Sequence, residues 1–205
     1  MQRLLAALLY LLCCAPLLTS CGGAASSVDA APPDHDAESL MVDGSSPPEE
    51  DARPHDATST MPPPTEIGTT DRPARVVPPD DYDPMTPSPL LFLLHGYTAS
   101  SVAQDFYFQL SSVTQSRGII LVLPDGTMDA GGNRFWNADS RCCDFGRTGV
   151  DDVDYLTSLL DEVEASYNVD TNRVYFYGHS NGGYMSYRMA CDLGNRITAI
   201  ASLAG

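Results

Sequence analysis

The sequence contains no lysine, so all of its positive side-chain charge comes from arginine. Eleven arginines stand against 27 Asp and Glu residues, which leaves a formal net charge of −16. Nucleic-acid phosphates would be repelled, so we exclude nucleic acid as a partner. The net charge is −11 over residues 22–85 and −6 over residues 86–205. The acidity therefore belongs mainly to an N-terminal tail.

Histidine is scarce, with four in the chain and none after His179. His35 and His55 lie beside acidic residues in the tail. A metal site needs ligands that converge from an ordered chain, so we expect these two histidines to be solvated. The sequence predicts neither a metal site nor an organic cofactor.

The first 20 residues contain the longest apolar run, over residues 4–18. The run is too short to span a bilayer and predicts a secretory signal peptide over residues 1–20. Leu18-Thr19-Ser20-Cys21 resembles the bacterial lipobox, in which the cysteine is lipidated; in the alternative, Cys21 is incidental. Gly22 then favours, by resemblance to lipoprotein sorting, the outer membrane of a bacterium. We thus expect a secreted protein that is held to a membrane by its N-terminal lipid.

Residues 21–70 are rich in Pro, Ala, Ser, Thr and Asp, with few aliphatic side chains and no aromatic one. Such a segment buries too little apolar surface to offset its ordering entropy. The composition predicts a disordered acidic tether over residues 21–70 and a folded domain over residues 71–205.

Four short apolar runs in the second half are typical of strands that are buried in a parallel sheet. They cover residues 90–94, 119–123, 174–177 and 197–203. One or two weaker edge strands are expected within residues 67–82, most of all at Arg75-Val76-Val77. Helical spacing predicts helices from Ser100 or Ser101 to about Arg117, from about Gly149 to Tyr167, and from Ser180 to about Leu193. The first of these should bury one face, formed by Val102, Phe106, Leu110 and Val113. This alternation predicts a doubly wound, mostly parallel α/β sheet with its site at the carboxyl ends of the strands.

The most informative stretch is Gly178-His179-Ser180-Asn181-Gly182. It follows a β-branched and aromatic run and precedes a helical segment, which is the context of a nucleophile elbow. In such a tight turn, side chains at Gly178 and Gly182 would clash, and Ser180 would occupy a strained conformation that exposes its hydroxyl. The alternative is a Gly-rich loop in which Ser180 only caps the helix.

With these residues the chain resembles the α/β-hydrolase group of polyhydroxybutyrate depolymerases, feruloyl esterases and acetylxylan esterases. The motifs that carry the resemblance are His95-Gly96-Tyr97-Thr98, Pro124-Asp125-Gly126, Trp136, Val150-Asp151-Asp152-Val153 and the elbow. The resemblance implies hydrolysis of a carboxylic ester, from a polyester or a plant cell wall, through an acyl-Ser180 intermediate.

The resemblance also implies roles for several residues. The oxyanion hole would use the backbone N–H groups of Asn181 and Tyr97, with Thr98 as the alternative to Tyr97. His95 and Gly96 would shape the oxyanion loop, and His95 would not be the base. From the tight turn, we expect the His179 side chain to point away from the hydroxyl.

Trp136 and Tyr184 are candidates for contacting the acyl group of the substrate, although ordinary packing explains each equally well.

The expected catalytic triad is incomplete in this sequence. Hydrolases of this fold place the acid and then the histidine after the nucleophile. Asp192 is the sole acid after Ser180, and no histidine follows. We therefore expect a C-terminally incomplete hydrolase domain: a fragment, a broken gene, or a fold that another chain completes. A non-catalytic surface lipoprotein with a degenerate hydrolase domain is the alternative function.

Three cysteines remain in the predicted folded part, at Cys142, Cys143 and Cys191. Disulfides are stable outside the cytoplasm. A bridge from the 142–143 pair to Cys191 is favoured, and a bond between Cys142 and Cys143 is the alternative. Zinc is not expected, because no histidine lies nearby in the sequence.

Overall fold

The computed structural model describes residues 62–205. The predicted signal peptide, Cys21, His35, His55 and most of the tether lie outside these described residues. Within them, no helix is long and apolar enough to cross a membrane.

The central feature is a six-stranded sheet with the order β1-β2-β4-β3-β7-β8, accompanied by a small two-stranded sheet of β5 and β6. The strands are β1 (Glu66–Thr69), β2 (Arg72–Val77), β3 (Ser88–Leu94), β4 (Ile120–Leu123), β5 (Thr127–Met128), β6 (Arg134–Phe135), β7 (Val169–His179) and β8 (Ala199–Leu203). The helices are α1 (Ser101–Phe108), α2 (Leu110–Gln115), α3 (Asp152–Ser166) and α4 (Asn181–Asp192).

Strands β4, β3, β7 and β8 pair in parallel, which confirms the predicted mostly parallel α/β sheet. All four residues of β4 are buried, as expected for a continuous apolar strand between two layers of helices. One core cluster joins alternate β3 residues to α3 and α4, and the second packs the other face of β3 and β4 against Phe108 and Leu110. Helices therefore cover both faces of the sheet.

The N-terminal edge of the sheet differs from the prediction. Strand β1 begins at Glu66, a few residues before the predicted start of the folded domain at residue 71. Arg75-Val76-Val77 belongs to β2, which lies between β1 and β4 and is not an edge strand. The weak, Pro-interrupted pattern of this hairpin indicated strands but did not show their order in the sheet.

The predicted first helix is wrong in both length and orientation. It is divided at Gln109, which has a left-handed backbone conformation with φ 55°. The buried residues of α1 are polar, namely Ser101 and Gln104, whereas Val102 and Phe106 are 62% and 82% exposed. Val113 in α2 is also exposed, and only Leu110 of the predicted buried face packs against the core.

Helices α3 and α4 agree with the expected pattern. Asp151 caps α3 by accepting a hydrogen bond from the Asp154 N–H, and Leu156, Leu159 and Val163 are fully buried. Helix α4 packs Met185 and Met189 into the same core. Both helices therefore lie on the same face of the sheet, where α4 packs against β3 and β7.

Candidate active site

Three loops at the carboxyl ends of neighbouring parallel strands form the site. His95-Gly96-Tyr97 follows β3, Asp125-Gly126 follows β4, and Ser180 follows β7. The register pairs Leu94 with Gly178, so β3 and β7 end at the same level. A cleft of about 270 Å³ opens where the first and third loops meet, and it is lined by Gly96, Tyr97, Ala99, Ala103, Gln104, Tyr107, His179 and Ser180.

Ser180 occupies a strained backbone conformation, with φ 51° and ψ −117°. A Cβ atom at Gly178 would lie 2.0 Å from the Gly182 carbonyl oxygen, so only glycine fits where the turn crosses itself. The Ser180 N–H donates to the Leu203 carbonyl (2.7 Å), which ties the turn to β8. The half-buried Ser180 therefore stands in the cleft at the positive end of α4.

Asn181 is the first residue of α4, so its backbone N–H is one of the helix N–H groups that lack an intrahelical partner. Its buried side chain is engaged elsewhere. The Oδ1 atom accepts from the Trp136 N–H (2.7 Å), and Nδ2 donates to the Trp136 carbonyl (2.9 Å). The amide thus fastens the Trp136 loop to the elbow, a role that sequence reasoning missed because the two residues are distant in the chain.

The oxyanion loop offers one suitable N–H group beyond β3. The Thr98 N–H donates to the Arg134 carbonyl (2.8 Å), and the Gly96 N–H donates to Gln104 Oε1 (3.2 Å). Among residues 62–205, no group accepts a hydrogen bond from the Tyr97 N–H. Tyr97 is therefore the better candidate, and Thr98 is disfavoured as its alternative.

His95 is fully buried and uses both ring nitrogens. Nε2 accepts from the Gly126 N–H (2.9 Å), so the proton lies on Nδ1 and is donated to the Gly96 carbonyl (2.8 Å). Burial lowers the pKa of His95 below its ordinary value and keeps the ring neutral. No nitrogen is left to take a proton from Ser180, so His95 shapes the loop.

A largely buried ion pair between Arg72 and Asp152 supports the loops around the site. Asp152 accepts from Arg72 Nη2 and from the Asn137 N–H, both at 2.7 Å, and the Arg72 guanidinium also lies over the Tyr155 ring at 3.6 Å. Burial raises the pKa of Asp152, and the Asn137 N–H and Arg72 oppose that shift. In the sequence, Asp152 belongs to the Val150-Asp151-Asp152-Val153 motif. That motif supported the family resemblance but did not predict the ion pair with Arg72.

The predicted substrate-contacting residues are not at the cleft. Trp136 is fully buried, and its Nε1 donates to the His95 carbonyl (3.0 Å), so it supports the loop and cannot touch the substrate. Tyr184 is 43% exposed on α4 but does not line the cleft. Tyr107, which the sequence analysis did not single out, lines the cleft together with the aromatic rings of Tyr97 and His179.

The favoured disulfide is also wrong. Cys142 and Cys143 are bonded to each other, so neither is bonded to Cys191. This pair lies beside the elbow, because Asn181 Nδ2 lies 3.6 Å from Cys142 Sγ. Sequence separation alone could not choose between the two pairings.

No triad histidine is in place within residues 62–205. His95 is fully engaged, and His179 Nδ1 lies 3.3 Å from Gln104 Oε1. Asp192 pairs with Arg188 at the end of α4, a helix whose 12 residues span about 18 Å from Ser180. No cluster of metal-binding side chains occurs in this part of the chain. The described site combines a strained serine between a strand and a helix with two candidate oxyanion donors.

Comparison with known proteins agrees with this geometry. Residues 66–205 match the family model "Putative esterase". Feruloyl esterase D of Neurospora crassa is 29% identical over 69% of this chain, and a bifunctional acetylxylan esterase/xylanase of Neocallimastix patriciarum is 30% identical over 58%. The chain spans only 48% and 16% of these relatives.

A solved structure, the acetyl xylan esterase from Aspergillus awamori, has a similar fold, with a TM-score of 0.53 and 15% identity. The similarity covers 66% of this chain and 49% of that one.

Proposed function

The chain belongs to the esterase family, and from that premise we propose that it hydrolyses carboxylic esters through an acyl-enzyme formed on Ser180. The observation that carries the proposal is the conformation of Ser180. A serine at φ 51° between a buried strand and a helix N-terminus is costly to maintain, and a simple helix cap does not need it.

The reaction would proceed in two steps. Ser180 Oγ attacks the ester carbonyl carbon as a base takes its proton, and the carbonyl oxygen becomes an oxyanion between the Tyr97 and Asn181 N–H groups. Collapse of this intermediate breaks the bond to the alcohol, which leaves with a proton. Water then attacks the acyl carbon, releases the acid and restores the Ser180 hydroxyl. Each fixed donor can contribute about 3 kcal/mol at the transition state.

Residues 62–205 do not supply the base that this scheme needs. In a triad, one histidine nitrogen meets the nucleophile and the other meets a carboxylate. Neither histidine among residues 62–205 has that arrangement. This observation favours the second candidate, a non-catalytic surface lipoprotein with a degenerate hydrolase domain.

Feruloyl and acetyl esters of the plant cell wall are the proposed substrates, supported by the names of the relatives. A polyester is the alternative.

Lipidation at Cys21 and an extracytoplasmic, outer-membrane location remain part of the proposal. The disulfide between Cys142 and Cys143 supports an oxidising compartment.

Labelling with a fluorophosphonate probe separates the two functions. In the full-length, folded protein, Ser180 should be modified, Ser180→Ala should not react, and Ser112→Ala, which changes an exposed serine on α2, should react as the wild type does. Release of p-nitrophenol from p-nitrophenyl acetate should follow the same order. A full-length, folded wild-type protein that neither reacts with the probe nor cleaves the ester would exclude the esterase function and favour the degenerate domain.

A further inference from the structure

Helix α1 is packed in reverse, with polar side chains inward and apolar side chains outward. Gln104 is 4% exposed, while its neighbour Val102 is 62% exposed. Burying a long amide side chain costs free energy unless its polar atoms find partners, so the inward position of Gln104 calls for a specific contact. That contact is found at the site and not in the hydrophobic core.

A single atom, Gln104 Oε1, meets both catalytic loops. It accepts a hydrogen bond from the Gly96 N–H (3.2 Å) in the oxyanion loop, and it lies 3.3 Å from His179 Nδ1 in the nucleophile elbow. These loops follow different strands, β3 and β7. The amide oxygen therefore bridges the oxyanion loop and the nucleophile elbow. The separation of these two segments sets the distance from Ser180 Oγ to the oxyanion donors.

The direction of these hydrogen bonds follows from elementary donor and acceptor chemistry. The Gly96 N–H can only donate, which identifies the Gln104 atom as the carbonyl oxygen. A carbonyl oxygen can only accept, so His179 must carry its proton on Nδ1 to complete the second bond. The glutamine thereby selects one of the two neutral tautomers of His179.

The oxyanion loop and the nucleophile elbow are in close contact, so a change at Gln104 should affect both. A Cβ atom placed on Gly96 would lie 3.2 Å from His179 Nδ1 and 3.5 Å from Ser180 Cβ. A rotated or displaced His179 ring would press directly on the oxyanion loop. The ring is also held by Phe108, at 6.0 Å between ring centroids, and by Tyr107 at 6.5 Å.

We propose that Gln104 is a positioning residue, which sets the oxyanion loop against the nucleophile elbow and holds His179 as the Nδ1–H tautomer. This inference rests on the proposed function for its catalytic consequence. Its structural content, the tautomer and the Gly96 hydrogen bond, does not depend on turnover. Gln104 is not in itself a catalytic group, because it acts through Gly96 and His179.

The first arm of the test uses nuclear magnetic resonance and requires no activity. Imidazole ¹⁵N spectra of the full chain, recorded at alkaline pH where histidine rings are neutral, report the His179 tautomer. The wild type should show the proton on Nδ1. The proton on Nε2 in the wild type would overturn the inference without any variant.

Variants then test the role of the acceptor oxygen. Gln104→Met has similar length but no acceptor, so His179 should lose its Nδ1–H preference and the Gly96 amide should exchange with solvent roughly tenfold faster. Gln104→Glu keeps an acceptor oxygen and should restore both signals. Gln115→Met is the matched control, because Gln115 contacts Asp80 on the distant side of α2. Unchanged signals in a folded Gln104→Met chain would overturn the inference.

The second arm measures ester hydrolysis. Gln104→Met should lower kcat by roughly tenfold or more with little change in KM, because the donors act on the transition state. Gln104→Glu should recover part of kcat. If the wild type is inactive while the tautomer and exchange results hold, the proposed function fails and the positioning role stands. If the wild type is active and Gln104→Met retains its kcat, the catalytic part of the inference is wrong.

Discussion

Replacing Gly182 by alanine tests whether the elbow and the oxyanion loop are one packed unit. The added Cβ atom would lie 2.2 Å from the Leu94 carbonyl oxygen and 2.6 Å from the His95 carbonyl oxygen. Real Cβ atoms essentially never approach within 3.0 Å, so one of the two segments must move by about 1 Å. Both obstacles are backbone atoms and cannot rotate away.

The size of the effect follows from what must move. Forcing an extra methyl group into a close-packed backbone contact costs about 3 kcal/mol of unfolding free energy. A shift of about 1 Å between Ser180 and the donors costs on the order of 100-fold in rate. We therefore expect Gly182→Ala to lose both stability and fluorophosphonate reactivity.

Urea unfolding followed by Trp136 fluorescence measures the first effect, and the second-order rate of probe labelling measures the other. Gly146→Ala is the control, since its Cβ atom would have only ordinary contacts, the nearest at 3.7 Å, and should change stability by less than about 0.5 kcal/mol. A Gly182→Ala chain with wild-type stability and labelling rate would refute the reasoning that the turn crosses β3 too tightly for a side chain.

Three further predictions concern the supports of the site. Burial lowers the pKa of His95 in the folded chain, so the stability it contributes is present above about pH 6.5 and is lost as the pH falls through the lowered value. His95→Gln should flatten the dependence of urea midpoints between pH 7.5 and 5.5, and an unchanged slope would contradict this account. Arg72→Met leaves the Asp152 carboxylate buried without its partner and should cost about 3–5 kcal/mol, whereas the double variant with Asp152→Leu should recover part of that loss in the same urea titration. Equal stability of the single and double variants would argue against the ion pair. Asn181→Ala removes both bonds to the Trp136 backbone and should cost about 2–3 kcal/mol together with a red shift of the tryptophan emission, and an unshifted spectrum would show that the amide does not hold this loop.

Much of the architecture could be predicted because its signals are local. Continuous apolar runs predicted β3, β4 and β8 within about two residues and the C-terminal part of β7, and the parallel arrangement followed from their alternation with helices. The elbow could be recognised for the same reason: Gly178 and Gly182 are required by a turn that these few residues form among themselves.

Helix α1 shows where local pattern fails. Its apolar residues have helical spacing, which predicts that Val102 and Phe106 are buried. The structure buries Gln104 instead, because the surface that α1 covers is not the apolar core alone but also the polar backbone of the Gly96 loop and the His179 ring. Periodicity reports which residues share a face and does not report what that face meets.

The sequence by itself determined the class of fold, the strand–turn–helix context of Ser180 and the alternation of buried strands with helices, since each depends on interactions between residues that are close in the chain. Tertiary structure decided the burial of Trp136, the pairing of Cys142 with Cys143 and the place of Gln104. The first and the third depend on contacts between residues far apart in the chain. The second is a choice between a neighbouring cysteine and a distant one. The free energies of these interactions depend on which loops meet at the carboxyl edge of the sheet. Strand pairing brings those loops together, so local sequence patterns do not report it.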